Sequence, residues 1–181
     1  MRRHPHESLY PVTPVLRYNV VRVLLDRPVK PGDDNEGLEA AMAYDENNVF
    51  AKVLRGEIPC HKIYEDADTL AFLDIMPRAQ GHALVVTKEK ARDFFDISPG
   101  GLAKLMTVVQ KLAPKIQEAM GAQGVLIQQF NGAAAGQTVF HLHVHIIPRK
   151  EGEALKPHAG KMEDQAVLAA TAEKIRKKLQ G

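Results

Sequence analysis

The chain has 181 residues, of which 45% are hydrophobic and 25% charged, and its formal net charge is +2 with neutral histidines. This length fits one domain with extensions, and so small a charge gives no electrostatic reason to expect nucleic acid or a membrane surface as a partner. The single cysteine, Cys60, excludes an internal disulfide framework, which fits a reducing, cytoplasmic setting.

The N-terminal part of the chain reads as an extension. Residues 4–18 contain three prolines and no continuous apolar run, which argues against a secretory signal. Residues 27–37 resemble a linker rich in proline, glycine and acidic residues, and residues 15–25 between them have the composition of a short strand. One hypothesis places the natural start at Met42, and the other holds that the upstream residues are a real extension that packs on the domain or binds a partner.

Residues after this extension show regular patterns. We predict an extension or linker over residues 1–44, a domain over 45–150, and a C-terminal tail with a helix over 151–181. Alternating and short apolar runs predict five strands, at residues 61–65, 69–74, 82–87, 125–130 and 139–147.

Three helices are predicted, over residues 48–57, 98–121 and 162–179. Ser98 is a good N-cap and Pro99 suits the first helical position, while Pro114 should kink the same helix. The apolar stripe of this helix indicates a core or a subunit interface. Strands with helices grouped between them predict an α+β fold with a mostly antiparallel sheet.

The histidines of the last predicted strand form the main candidate site. Alternate side chains of a strand share a face, so His141, His143 and His145 should line one face and the apolar residues between them should face the core. Neutral imidazole is nucleophilic near pH 7, which suits one of these histidines for attack on a phosphate while its neighbours act as donors. No metal or other cofactor is required by this chemistry.

A glycine-rich segment directly precedes the histidines. Residues 131–138 are small and flexible, and their backbone N–H groups could wrap an anion. Gln137 and Thr138 would add side-chain donors. The combination predicts a phosphate site that leads into the histidine strand.

Other interpretations of the three histidines remain open at this point. His-x-His on a strand is a common zinc-binding pair, but no carboxylate lies beside the triplet in the sequence. A chance run of surface histidines is a further alternative. His82 begins another predicted strand, where a lone histidine is usually structural.

Several segments together resemble the histidine triad (HIT) family. The residues 141–147, His-Leu-His-Val-His-Ile-Ile, resemble its signature. Further blocks resemble, in order, its N-terminal helix and turn, its nucleoside-pocket strand, the strand with a fourth histidine and the segment before the triad; they are residues 49–59, 70–75, 81–86 and 136–140.

The resemblance implies a fold, a partner and residue roles. The implied fold is a five-stranded antiparallel sheet with two main helices, here with an N-terminal extension and a C-terminal helix added, and the usual assembly is a homodimer with the longer helix at the interface. His143 would be the nucleophile, His145 would assist the leaving group, and His141 and His82 would support them. A purine nucleotide would be bound by Ile58, Phe72, Asp74, Ile75, Asn131, Gly136, Gln137, Thr138 and Val139.

Two departures from the family pattern bear on function. Some bacterial members hold structural zinc through Cys-x-x-Cys at the first helix, where this chain has Asn48 and Ala51, so structural zinc is not expected. The segment His145–Lys150 differs from the Gly-Gly ending common in the phosphoramidase (Hint) branch and looks more like the dinucleoside polyphosphate hydrolase (Fhit) branch. The leading hypothesis is hydrolysis of a purine nucleoside 5′-phosphoramidate or similar adduct; the alternatives are a diadenosine polyphosphate hydrolase and a nucleotide-binding or scaffold protein with little turnover.

Overall fold

A computed structural model describes residues 43–157 and 160–180. From Tyr44 onward these residues form one compact unit. The predicted linker, the predicted strand over residues 15–25 and the hypothesis about Met42 lie outside the described residues.

The sheet matches the expected architecture. The described chain contains the strands β1 (Lys62–Glu65), β2 (Thr69–Leu73), β3 (Ala83–Thr87), β4 (Gly124–Gln128) and β5 (His143–Arg149), together with the helices α1 (Val49–Leu54), α2 (Pro99–Met120) and α3 (Gln165–Gln180). The strands form one sheet in the order β1-β2-β3-β5-β4, and each neighbouring pair is antiparallel. The predicted α+β fold with a five-stranded antiparallel sheet is therefore confirmed.

The two faces of the sheet pack against different parts of the chain. One face, with residues such as Val85 and Val144, packs with α2 and α3 into the main hydrophobic core. The opposite face carries a smaller apolar cluster, which includes Leu84, Phe72 and Phe50 of α1. Since side chains alternate along β5, its histidines belong to this second face.

Helix α2 is the longest described helix. The Ser98 side chain accepts a hydrogen bond from the Gly101 amide, and Gly121 ends the helix in a left-handed conformation. The helix continues through Pro114 to Met120, so the proline does not end it. The described helices contain no segment that is both long and apolar enough to cross a membrane.

Helix α3 anchors the C-terminal segment to the domain. Leu168, Ala172 and Ile175 are buried in the main core, against α2 and β1. The helix begins three residues later than predicted, because Asp164 accepts hydrogen bonds from the amides of Ala166 and Val167.

The last strand begins later and ends later than the sequence predicts. Residues 139–142 lie outside β5, because Leu142 donates its amide hydrogen to the Ala91 carbonyl in a loop beyond β3. At its other end β5 continues through Pro148, which pairs with Val125 of β4, whereas pairing with β3 stops at Ile146. A proline is tolerated where a strand has a partner on one side only. His141 therefore precedes the strand that carries His143 and His145.

Candidate active site

A cavity of about 240 Å³ opens on the sheet face that carries the histidines. Its walls come from α1, the turn after α1, the end of β2 and the segment before β5. Mostly apolar walls with a few converging polar groups are typical of a small-molecule site. Eight residues predicted for the site line this cavity: Ile58, Phe72, Asp74, Ile75, Thr138, Val139, His143 and His145.

Five other predicted residues do not line the cavity. His82 and His141 are buried and contact other parts of the histidine cluster. Asn131, Gly136 and Gln137 lie in the loop before β5, where the Asn131 side chain accepts a hydrogen bond from the Phe94 amide.

The glycine-rich loop is held together by Gln137. The side-chain oxygen of Gln137 accepts from the Gly132 amide at 2.7 Å, and its Nε2 donates to the carbonyls of Arg92 and Val139 at 2.6 and 3.1 Å. Gly136 has a φ of 96°, a left-handed conformation that favours glycine. The side-chain amide of Gln137 thus holds the loop together through three hydrogen bonds. That Gln137 also contacts phosphate stays a prediction.

One hydrogen bond determines which ring nitrogen of His143 carries hydrogen. Its Nδ1 lies 2.6 Å from the carbonyl oxygen of His141, and because a carbonyl only accepts, Nδ1 carries the hydrogen. In the neutral ring the lone pair then lies on Nε2. The ring of Phe50 packs edge-on at a centroid distance of 4.9 Å, which fixes the ring plane. The ring of His143 is therefore fixed in orientation at the cavity wall, with the lone pair of its neutral form on Nε2.

His141 is a buried neutral imidazole. Its Nε2 donates to the carbonyl oxygen of Thr87 at 2.8 Å, and the Tyr44 hydroxyl lies 2.5 Å from its Nδ1. Burial lowers the pKa of His141 to about 4, with a smaller opposing effect from the Thr87 hydrogen bond. His141 therefore carries no charge at neutral pH, and its two ring nitrogens contact the Thr87 carbonyl and the Tyr44 hydroxyl.

His82 and His145 form a directed pair. The Arg78 amide lies 3.2 Å from Nδ1 of His82, so that nitrogen accepts and the hydrogen of the neutral ring lies on Nε2. Nε2 of His82 lies 2.9 Å from Nδ1 of His145. His145 consequently accepts at Nδ1 and carries its own hydrogen on Nε2. Each ring sets the tautomer of the next.

Asp74 is the acidic residue beside this pair. Its Oδ1 accepts from the Met76 amide at 2.8 Å, and its Oδ2 lies 3.3 Å from Nδ1 of His82. No carboxylate lies beside the histidine triplet in the sequence, but the fold brings the predicted site residue Asp74 close to His145. The register of β2 against β3 pairs Leu73 with Ala83, which brings the flanking residues Asp74 and His82 together.

These side chains also form the described group best suited to a metal. Ligand atoms of Asp74, His82 and His145 lie within 4.8 Å of one another, and one carboxylate with two imidazoles suits several transition metals. Both ring nitrogens of His82 already take part in hydrogen bonds within the protein. A metal ion at this place would have to displace one of them.

The sequence and the fold of this chain both match those of a known protein family. A family model described as HIT domain matches residues 55–152. The chain belongs to the histidine triad family. The resemblance of the motif blocks is thereby confirmed, and the similar proteins include Hint-like members.

Two relatives of this chain are named as enzymes. An adenylylsulfatase of Arabidopsis thaliana is 36% identical over 141 residues, which cover 75% of this chain and 72% of the relative. An adenosine 5′-monophosphoramidase of Schizosaccharomyces pombe is 41% identical over 105 residues, which cover 58% of this chain and 76% of the relative.

Solved structures share the fold. A Hit-like protein of Bartonella henselae, described as involved in cell-cycle regulation and bound to an unknown ligand, is 46% identical, with a TM-score of 0.72 over 75% of this chain and 98% of that one. A zinc-bound histidine triad protein of Mycobacterium smegmatis is 34% identical, with a TM-score of 0.66 over 74% of this chain and 94% of that one.

Among the residues that sequence reasoning missed, three contact the histidines directly. Phe50 packs against His143, the Arg78 backbone amide sets the His82 tautomer, and the Tyr44 hydroxyl reaches His141. The apolar face of the first helix could have identified Phe50. Nothing in the spacing of Arg78 or Tyr44 pointed to the site.

Proposed function

We propose that this protein is a nucleotide hydrolase or transferase that cleaves a purine nucleoside 5′-phosphoramidate, or a similar adduct, at the α-phosphate through a nucleotidyl intermediate on His143. The observation that carries the proposal is the 2.6 Å hydrogen bond from Nδ1 of His143 to the His141 carbonyl. It places the lone pair on Nε2, in a ring that lines the cavity.

The reaction has two displacement steps at phosphorus. In the first, Nε2 of His143 bonds to the α-phosphorus while the bond to the leaving group breaks, and the leaving group takes a proton from Nε2 of His145, which enters this step as imidazolium and leaves it neutral. In the second, water attacks the phosphorus, the phosphorus–nitrogen bond breaks and the water proton passes to His145. The nucleoside monophosphate leaves and the starting protonation is restored.

The His82–His145 pair supports this proton transfer. The hydrogen bond from Nε2 of His82 to Nδ1 of His145 keeps the hydrogen of His145 on Nε2. When His145 gains a positive charge, Asp74 lies close to the same network through His82. Opposite charge nearby favours the protonated form of a histidine.

The remaining walls of the cavity suit a nucleoside. Ile58, Phe72 and Ile75 provide an apolar surface for a base. Asp74 uses one oxygen for the Met76 amide but retains lone pairs that can accept from ribose hydroxyls. Backbone donors of the loop over residues 131–138, with Asn131, Gly136, Gln137, Thr138 and Val139, would contact phosphate and ribose.

The names of two relatives support a small leaving group. One is named an adenosine 5′-monophosphoramidase and the other an adenylylsulfatase, and both names describe cleavage next to an adenylate phosphate. The sequence of the segment His145–Lys150 is the observation that favours diadenosine polyphosphates as the alternative substrate.

A comparison of rates tests the proposal. Release of adenosine monophosphate would be measured from an adenosine phosphoramidate and from diadenosine triphosphate, with wild type and His143→Ala. Faster release from the phosphoramidate supports the leading substrate, and the reverse order supports the alternative. Binding of adenosine monophosphate without turnover of either substrate would contradict an enzyme and favour a binding protein.

The proposed chemistry needs no metal, because each step uses imidazole groups and backbone donors. A chelator should therefore leave the rate unchanged. If a chelator abolished turnover and zinc restored it, a metal at Asp74, His82 and His145 would replace this scheme.

We further propose that the chain forms a homodimer through α2 and the edge of the sheet. Strand β4 is an edge strand, and Ile127 on it and Met106 on α2 are 40% and 41% exposed. Light scattering should give twice the chain mass. Met106→Glu should shift the protein toward the monomer, and a monomeric wild type would contradict the proposal.

A further inference from the structure

The hydroxyl of Tyr44 contacts the first histidine of the triad. It lies 2.5 Å from Nδ1 of His141, and the two rings meet edge to face at a centroid distance of 5.6 Å. Because Nε2 of His141 donates to the Thr87 carbonyl, Nδ1 bears the lone pair and the Tyr44 hydroxyl is the donor. Burial raises the pKa of Tyr44, which keeps this hydroxyl protonated.

The segment around Tyr44 is ordered by its own hydrogen bonds. The Asp45 carbonyl accepts from the backbone amide and from the side chain of Asn48 at 3.1 and 2.6 Å. Asn48 is also the N-cap of α1, since its side chain accepts from the amides of Phe50 and Ala51. The cap of α1 thus places Tyr44 beside His141. This segment lies before residue 55, where the match to the family model begins.

His141 lies outside the sheet, because strand β5 begins at His143. Its backbone carbonyl belongs to the same peptide group as the Leu142 amide, which donates to the Ala91 carbonyl at 2.8 Å, and its ring is held separately. Its carbonyl oxygen nevertheless has a function, since it accepts the hydrogen of His143 Nδ1 at 2.6 Å. The contacts of the His141 ring with Tyr44 and Thr87 hold the residue that supplies this carbonyl.

We propose that Tyr44 is a positioning residue for the nucleophile: its hydroxyl holds the ring of His141, and His141 in turn presents the carbonyl that keeps His143 in its Nδ1–H tautomer. The role in turnover rests on the proposed function, whereas the role in setting the tautomer does not. Tyr44 acts through His141 and touches no reacting atom.

Tyr44→Phe tests this role, because it removes the hydroxyl and retains the ring. The matched control is Tyr64→Phe, which removes a hydroxyl bonded to Asp66 at 3.0 Å on the edge strand β1, away from the cavity lining. Nitrogen-15 spectra of the histidine rings at neutral pH report which ring nitrogen carries hydrogen. Turnover of an adenosine phosphoramidate is measured on the same samples.

The expected result for Tyr44→Phe has two parts. The Nδ1 resonance of His141 moves in the direction of a lost hydrogen bond, and His143 shows a mixture of its two tautomers in place of the Nδ1–H form alone. The value of kcat falls about 3- to 30-fold, the effect of losing one buried hydrogen bond, while KM changes less than about twofold. Tyr64→Phe changes none of these.

Two results would overturn the proposal. One is a His143 tautomer in Tyr44→Phe that is the same as in the wild type. The other is a kcat that falls no further than in Tyr64→Phe although the tautomer has changed. If the wild type turns over no substrate, the proposed function fails, and the His143 spectrum alone decides whether Tyr44 positions that ring.

Discussion

Nε2 of His82 lies 2.9 Å from Nδ1 of His145, and this contact joins a residue of the loop before β3 to the last histidine of the triad. The Arg78 amide on the far side of His82 makes the hydrogen bond directional. The neutral form of His145 is therefore held with its hydrogen on Nε2, the nitrogen from which the proposed mechanism transfers a proton. Two substitutions can test whether His82 acts as a hydrogen-bond donor to His145 or only fills space.

His82→Gln and His82→Leu should differ in activity. Glutamine can still donate toward Nδ1 of His145, whereas leucine cannot. We expect kcat for an amine leaving group to fall about 10-fold in His82→Gln and about 100-fold or more in His82→Leu, because general acid catalysis contributes about 10² to 10⁴.

A substrate whose leaving group needs no protonation provides the control for these two His82 variants. With an aryl phosphate ester of low leaving-group pKa, the two variants should differ by less than about threefold. Equal losses for both variants with the amine substrate would contradict a directional role for His82.

Asp74→Asn tests recognition of the ribose. A site that hydrogen-bonds a substrate hydroxyl discriminates against the analogue that lacks it. The wild type should therefore prefer a ribose substrate to its 2′-deoxy analogue by about 10-fold or more in kcat/KM, and the variant should lose most of this preference. An unchanged preference would show that Asp74 does not bind the ribose and interacts only with His82 and the Met76 amide.

The sequence predicts much of this site, but not how it is held in place. Alternation along β5 predicted that His143 and His145 share a face, and the register Leu84–His145 and Val86–His143 confirms their place beside β3. The approach of Asp74 to His82 depends on the pairing of β2 with β3, which no local pattern reveals. The predicted strand also included His141, which precedes β5, because the contact of Leu142 with Ala91 competes with sheet pairing.

The stability of the fold should fall in acid because of His141. Its pKa is about 4 in the folded protein and near 6.5 in an unfolded chain, so the unfolded state binds more protons between these values. The stabilisation is complete above about pH 6.5 and is lost as pH falls toward 4, by at most about 3 kcal/mol.

Urea unfolding across this pH range measures the effect. The free energy of unfolding of His141→Gln should depend less steeply on pH than that of the wild type. Parallel pH profiles for the two proteins would show that His141 does not contribute to acid sensitivity.

Gly81 allows the chain to turn directly before His82. Its φ is +83°, and a Cβ there would lie 2.5 Å from Cγ of Met120. We expect Gly81→Ala to destabilise the fold by about 2 to 4 kcal/mol, from backbone strain and overpacking together.

Gly56→Ala is the matched control for this substitution. Gly56 also has a positive φ, +75°, but no atom lies within 4 Å of a Cβ built there. Its substitution should cost only the backbone strain, about 1 to 2 kcal/mol. If chemical denaturation gave equal losses of unfolding free energy for both variants, the contact with Met120 would not contribute to the destabilisation.

The nucleotidyl intermediate is the central claim, and it can be observed directly. The enzyme would be mixed with an adenosine phosphoramidate, quenched within a turnover under conditions that preserve phosphorus–nitrogen bonds, digested and analysed by mass spectrometry with fragmentation. We predict an adenylyl group on His143, absent in His143→Ala, whose turnover should be lower by about 10⁴-fold or more. An adduct on His141 or His145, or a His143→Ala variant that keeps its activity, would contradict the account.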